Sequence, residues 1–479
     1  MNIRKILSVL LIVVLLTGCG KAPGNAPIEE KQADKYAVTV EGAIFAGNAD
    51  DRIQTEVTFD PNWLTVKDNT KYNRELAQFA AILSDDVYFR AKDLDKGTQN
   101  RVLYDGENTE EYDWTAFLKK VGFSDVRYIE SYKEKEYAGD SNDSVTMLLG
   151  HTVVDGQYDL YVVAVRGCFS AQEWISVFDP GCDGEAYTEL TGQHPEWTDR
   201  NAFKGLDIAR NRAITFIDEF IEQYDNAEYQ NCMLITGHSR GGALANMIGA
   251  EMEDRADIRS YAYTFSTPGV TTDAKAMEYR TIFNVYDTND YYADPLPFGE
   301  EQFYRYGCDI AVAVADSEEI KTELARLKGR DDFKSLDAET KAEFVKLFGD
   351  RFPNRASLYD MLKVTRIFEK EEDALAFEAQ CQALIGSEQG LGLEGLCMAE
   401  SNGKDGKYEV TLSYCGGAIL IAYAKTLAYG QAAYEASVLL FQDDVPACEI
   451  LSLLMDNAAE LSGGHLLINS YVISAFCGQ

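Results

Sequence analysis

Two periods run through the apolar positions of this chain. At 73–91 (NRELAQFAAILSDDVYFRA) and 207–224 (DIARNRAITFIDEFIEQY) apolar residues return every three or four positions, which predicts amphipathic helices. A shorter helix is predicted at 113–123, stopped by Gly122. Unbroken apolar runs rich in β-branched residues at 144–154, 159–167 and 231–237 predict strands, and 260–270 and 280–298 predict two more, the last running into a loop. Short β-rich runs also appear between 36 and 66, and GALANMIGAEM after the third run predicts a helix. Strands this apolar, alternating with helices, are expected in a parallel sheet covered on both faces, so the fold class is α/β.

The pattern changes from about 309 to 405. The stretch DSEEIKTELARLKGRDDFKSLDAETKAEFVKLFGDRF is charged and helical, and SEQGLGLEG and SNGKDGK have loop composition. A helical insertion is expected there. After it, 406–479 contains a possible strand, KYEVTLSY, and two apolar helices, AILIAYAKTLAYGQAAYEASVLLF and CEILSLLMDNAAEL. Lys425, Glu435 and several tyrosines interrupt the first of these, which argues against a membrane span. No internal repeat is found.

The N-terminus has a different character. Arg4 and Lys5 precede an apolar run, Ile6 to Leu16, too short to span a bilayer comfortably, and the run ends in LTGC. Small residues before a cysteine resemble the lipobox of bacterial lipoproteins. That resemblance implies cleavage before Cys19 and a diacylglycerol on its thiol, hence an outward-facing membrane anchor. The alternative is an ordinary secretory peptide that happens to contain Cys19; the polar tether GKAPGNAPIEEKQADK favours the anchor. The expected organisation is a signal peptide at 1–18, a tether at 19–35, core at 36–308, the insertion at 309–405, and core again at 406–479.

Charge and cysteines narrow the chemistry. The 479 residues are 46% hydrophobic and carry 44 basic against 79 acidic side chains, a net −35. Such a surface repels phosphate backbones, so nucleic acid is not an expected partner. The ten cysteines include no C-x-x-C pair, and no histidine is spaced to share a metal with them, so no zinc site is predicted. An exported chain can form disulfides. Cys168/Cys182 and Cys381/Cys397 are the closest pairs in sequence, but spacing shows neither to be bonded.

One stretch carries a chemical pattern: LITGHSRGGALAN, with Gly237, His238, Ser239, Arg240 and Gly241 in the order G-x-S-x-G. The bare pattern arises by chance on the order of 0.1 times in a chain this long. Its setting says more, because an apolar strand enters and a helix of small residues leaves, as a nucleophile elbow requires. Glycines on both sides leave room for a strained serine. The helix N-terminus offers positive potential and the Arg240 N–H to a developing oxyanion. The competing reading is a tight βα turn with a capping serine. A serine nucleophile needs a base, and the base an orienting acid. Of four histidines, His151 and His194 precede the serine and His238 lies inside the elbow, which leaves His465, after two glycines. Asp287, Asp290 and Asp294 all follow a predicted strand and are candidate acids.

Taken together, four motifs resemble the class 3 lipases, the fungal-lipase-like branch of the α/β-hydrolases. They are VVAVRGCFSAQEWISVFD (162–179), the elbow, YAYTFSTPGV (261–270) and TNDYYADPLP (288–297). The resemblance spans roughly 70–310 and 455–475. It implies an α/β-hydrolase fold and a triad of Ser239, Asp290 and His465, with Tyr471 downstream. It also implies backbone N–H groups of Cys168 and Arg240 as the oxyanion hole. The implied activity is hydrolysis of carboxylic esters, most naturally lipid esters, through an acyl-enzyme and without metal or cofactor.

The chain departs from the family in three places. Cys168 stands where the family usually has Ser or Thr, and a thiol is a poor hydrogen bonder. Losing an oxyanion donor costs roughly 3 kcal/mol, so either activity is reduced or Cys168 is tied to Cys182. Arg240 replaces an apolar residue, and its side chain is expected to pair with a carboxylate rather than to select an acidic substrate. Finally, 175 positions separate Asp290 from His465, far more than the family needs, which casts 309–405 as a cap. The rival reading is a non-catalytic cell-surface binding lipoprotein on a hydrolase scaffold.

Overall fold

The computed structural model describes residues 37–45, 52–66, 70–88, 114–130, 144–168, 171–181, 197–287, 290, 301–312, 338–386, 390–404 and 406–457. Cys19, Cys182, His194, Asp294, His465 and Tyr471 lie outside them, as do residues 1–35, where a signal peptide and tether are expected.

The chain begins with an antiparallel pair, β1 (Val38–Phe45) and β2 (Arg52–Phe59), followed by helix α1 (Arg74–Asp86) and the short α2 (Trp114–Lys120). Asn73 starts α1 by accepting the Leu76 N–H, as an N-cap should. Then come β3 (Asp125–Glu130), β4 (Thr146–Val154), β5 (Tyr158–Val165), α3 (Ala171–Val177), α4 (Lys204–Tyr224), β6 (Gln230–His238), α5 (Arg240–Asp254), β7 (Ile258–Phe265), β8 (Ile282–Asp287) and β9 (Cys308–Val312). Their strands form one seven-stranded sheet in the order β3-β4-β5-β6-β7-β8-β9.

From β5 to β9 every neighbour is parallel, as the apolar runs predict. The β3–β4 and β4–β5 pairs are antiparallel instead. The reason for the second is local: Asp155 and Gly156 both take positive φ (53° and 60°), and the Gln157 N–H donates to the Val154 carbonyl. Left-handed residues of this kind make the turn whose twist suits a hairpin.

The strands alternate between two buried faces. On β5, Leu160, Val162 and Ala164 join α1, α2 and β2 in one core, while Tyr161, Val163 and Val165 face α4 and α5 in the other. On β6, Cys232 and Leu234 belong to the first core and Met233 and Ile235 to the second. A strand buried on both sides shows no polar alternation, which is why these runs read as continuous.

The expected helical insertion is corrected by the structure. After helix α6 (Ala338–Arg351) come β10 (Met361–Phe368), α7 (Glu371–Ile385), β11 (Cys397–Lys404) and β12 (Lys407–Cys415). The strands form a second, antiparallel sheet in the order β10-β12-β11. A boundary at 405/406 therefore cuts the β11–β12 hairpin, whose ends meet at Lys404 and Lys407. Strand β10 was hard to see because its residues alternate between exposed and half-buried, and charged Lys363 and Arg366 sit within it. Three helices follow: α8 (Gly416–Tyr429), α9 (Gln431–Phe441) and α10 (Val445–Asp456). The single long helix expected near 418–440 breaks at Gly430, whose φ is 71°. No helix among the described residues is long and apolar enough to cross a membrane.

This second layer leans on the sheet's helices. Tyr423 of α8 meets Phe178 edge-on at 5.7 Å, just past the end of α3. The Gly181 N–H donates to the Tyr359 hydroxyl (3.2 Å), and the Arg355 N–H to Glu301 (2.7 Å). Tyr423 and Tyr359 thereby both contact the segment following α3.

Candidate active site

The elbow is a problem of space. Strand β6 ends at His238, and α5 starts at Arg240, so Ser239 alone makes the corner. Its φ of 57° and ψ of −128° match the first central residue of a type II′ turn, a place glycine normally occupies. The neighbouring glycines are required sterically. A Cβ on Gly237 would lie 2.2 Å from the Gly241 carbonyl oxygen, and one on Gly241 would lie 2.2 Å from the Val165 carbonyl oxygen. On Gly242 it would lie 2.4 Å from Thr267 Oγ1. The Ser239 N–H donates to the Phe265 carbonyl, and its own carbonyl accepts the Ala243 N–H, each at 2.9 Å, so the helix begins without slack. Ser239 is 7% exposed at the N-terminus of a 15-residue helix, where the backbone favours negative charge.

The sheet brings Asp290 to the same edge. Strands β6, β7 and β8 run parallel, with Phe265 opposite both His238 and Val285. The C-terminal ends of β6 and β8 are therefore two strand spacings, about 10 Å, apart. Asp290 lies three residues past the end of β8 and is 1% exposed. Asp287 is the last residue of β8, and Asp294 lies outside the described residues, as does His465.

Of the other histidines, His151 and His238 are set aside by position, and His194 lies outside the described residues. His151 lies in β4 with its Nε2 2.9 Å from Asp159 Oδ1, stacked on Tyr224. Asp159 is six residues, about 20 Å of strand, before the C-terminal end of β5. His238 turns its ring toward the end of α1, with Nδ1 3.0 Å from the Tyr88 hydroxyl. That hydroxyl would lie 1.8 Å from a Cβ on Gly167, so Tyr88 closes over the end of β5. Nothing in the spacing of the sequence pointed to Tyr88.

Cys168 follows Gly167 and is buried. A Cβ on Gly167 would stand 2.7 Å from the His238 carbonyl oxygen, which shows how closely this strand end abuts the elbow. Cys168 is a free thiol, so the alternative in which it is bonded to Cys182 does not hold. Burial pushes its ionisation up, against the opposing influence of Arg240, so it is present as the neutral thiol.

The Arg240 side chain departs from expectation. Among the described residues it pairs with no carboxylate. It is 1% exposed, its Nε donates to Ser176 Oγ and its Nη2 to the Ser144 carbonyl, both at 2.6 Å. The nearby carboxylate, Glu173, accepts instead from Arg166 Nη2 (3.3 Å) and Ser144 Oγ (3.2 Å). Burial works against charge on Arg166, and the Glu173 carboxylate together with Tyr128 and Tyr88 more than offsets that. Two guanidinium groups and one carboxylate thus lie beneath the strand end, in a place water does not reach. Glu173 and Arg166 were visible in the motif at 162–179; their connection to Arg240 through two serines was not.

Residues 162–297, which run from within β5 to beyond β8, match the model of the family described as Lipase (class 3). Over 167 residues the chain is 28% identical to the secreted mono- and diacylglycerol lipase A of Penicillium cyclopium, and equally to that of Penicillium camembertii. The match takes in 33% of this chain and 48% of each relative, so the chain spans about half the length of the curated relatives it matches. Among solved structures, the nonglycosylated LIP2 lipase of Yarrowia lipolytica is 16% identical with a TM-score of 0.32, covering 51% of this chain and 81% of that one. The M37 lipase is 12% identical with a TM-score of 0.30, over 58% and 80%. The mostly parallel sheet with helices on both faces is an α/β-hydrolase fold, and the family match supports the class 3 lipases.

Proposed function

We propose that this chain is a serine hydrolase of carboxylic esters, with acylglycerols or other lipid esters as its substrate class. The observation that carries the reading is Ser239, held at φ 57° and ψ −128° between a buried strand and a helix N-terminus, with backbone where a Cβ on Gly237 or Gly241 would go. A capping serine needs none of this, and its side chain makes no cap hydrogen bond to α5. The names of the Penicillium relatives support the lipid-ester class.

In this reading Ser239 Oγ attacks the ester carbonyl. His465 takes the hydroxyl proton and delivers it to the departing alcohol, while Asp290 holds the imidazole in the required tautomer. The N–H groups of Cys168 and Arg240 receive the oxyanion, and water, deprotonated by His465, releases the acid from the acyl-enzyme. Because the second donor is a backbone group, cysteine in place of a hydroxyl residue weakens the hole without abolishing it.

The test is labelling of the purified ectodomain with a fluorophosphonate, beside Ser239→Ala and His465→Ala, and turnover of p-nitrophenyl esters of graded chain length. Labelling lost in Ser239→Ala, with a preference among chain lengths, supports the reading. A wild type that is neither labelled nor active supports the non-catalytic binder instead. Full turnover by His465→Ala refutes the assignment of the base. We also propose export and anchoring through a diacylglyceryl Cys19. Metabolic labelling with a fatty acid, absent in Cys19→Ala, tests it, and a soluble unlabelled wild type refutes it.

A further inference from the structure

We infer that the Arg240 side chain is a positioning residue that sets the spacing of the two oxyanion donors, an inference that rests on the hydrolase reading above. The residue has two functions at once. Its N–H stands at the start of α5, and its guanidinium reaches α3 and the residue before β4, the elements adjoining the strand end that leads to the other donor. Only residues 169 and 170 separate Cys168 from α3, where Ser176 accepts from Nε. Ser144 precedes β4 and accepts from Nη2, and β4 is laced to the end of β5 by the Arg166 N–H, which donates to the Thr146 carbonyl at 2.9 Å. A shift of the Cys168 backbone relative to the elbow would stretch one of these bonds.

The clamp is dry and reinforced. Ser176 also donates to the Glu173 carbonyl at 2.7 Å, and Ser144 donates to the Glu173 carboxylate. Arg240, Ser144, Ser176 and Glu173 are each at most 1% exposed. Hydrogen bonds from a cation are among the stronger ones, and low dielectric strengthens them further. Arg240 Nη1 makes no hydrogen bond among the described residues, although it is buried. A buried cation that carries this cost points to a use for its charge and reach. The Cys168 thiol feels Arg240 more than any other nearby charge.

The expected consequence is specific to the transition state. Negative charge appears on the carbonyl oxygen only as the serine adds, so a loosened hole lowers kcat and leaves KM little changed. The experiment uses the purified full ectodomain, p-nitrophenyl butyrate, and the second-order rate of fluorophosphonate inactivation. Arg240→Met removes clamp and charge, and is expected to lower kcat and the inactivation rate together, by roughly 100- to 1000-fold, with KM within about twofold. Arg240→Lys keeps the charge without the two-directional fork, and is expected to remain at least about tenfold impaired. Ser176→Ala leaves Arg240 in place and is expected to lose about tenfold in kcat. If Arg240→Met does not fold, Ser176→Ala decides the matter. An active wild type whose folded Arg240→Met or Ser176→Ala variant keeps full kcat, or loses only KM, overturns this inference alone. A wild type neither labelled nor active overturns the hydrolase reading and this inference with it.

Discussion

The backbone of Ser239 makes a prediction independent of substrate. At φ 57° and ψ −128° a residue with a Cβ is strained by about 1–3 kcal/mol, and glycine is not. Compare Ser239→Gly with Ser239→Ala, both lacking the hydroxyl. At an ordinary buried site, Ala to Gly costs about 0.5–1 kcal/mol in chain entropy and about 0.8 kcal/mol for the lost methyl. The total is about 1.3–1.8 kcal/mol. Relief of strain offsets this, so the glycine variant is expected to be between about 0.8 kcal/mol less stable and about 1.7 kcal/mol more stable than the alanine variant. The assay is guanidinium unfolding of both proteins, followed by circular dichroism and checked by calorimetry. Neither variant should react with fluorophosphonate. A glycine variant less stable than alanine by the full 1.3–1.8 kcal/mol would refute the argument that strain is stored at this corner.

Two further outcomes are expected. In Gly241→Ala the new methyl lies 2.2 Å from the Val165 carbonyl, so strand end and elbow must part by about 1 Å, lowering kcat about 100-fold; Gly249→Ala, crowded against Ala262 at 2.8 Å farther along α5, should cost stability and spare kcat. Equal kcat losses in the two would refute the steric account of the elbow. Burial pushes the Cys381 thiol up to about 11 and the Cys397 thiol, also beside Cys381 and Cys415, up to about 12. The folded state then holds these protons more tightly than the unfolded chain, whose thiols titrate near 9. Their contribution is complete below pH 9 and is lost as pH rises toward 11 and 12. Each should cost about 1.4 kcal/mol by pH 10. Unfolding curves at pH 8 and pH 10 for wild type and Cys381→Ala/Cys397→Ala check this, and an unchanged pH dependence in the double variant would refute it.

Much of this molecule is written in stretches short enough to act locally. The apolar runs at 144–154, 159–167 and 231–237 became β4, β5 and β6 within a residue or two, and 207–224 became the main part of α4. The elbow was legible because its requirement is steric and covers five positions: glycines at 237 and 241 are the residues that fit where backbone lies 2.2 Å away. Asp290 was one of three candidate acids past a strand in the sequence, and the structure places it buried three residues beyond β8.

What tertiary structure decided depends on partners distant in sequence. Strands β10 and β12 pair across about fifty residues, and a half-exposed edge strand carries no continuous apolar run to announce it. Arg240 meets Ser176 and Ser144 at separations of 64 and 96 residues, and the nearby Glu173 carboxylate is occupied by Arg166. Periodicity and sterics report what a segment needs from its immediate neighbours. They do not report which of several buried polar groups will be within three ångströms once the sheet has formed, and the electrostatics around the candidate nucleophile are settled at that level.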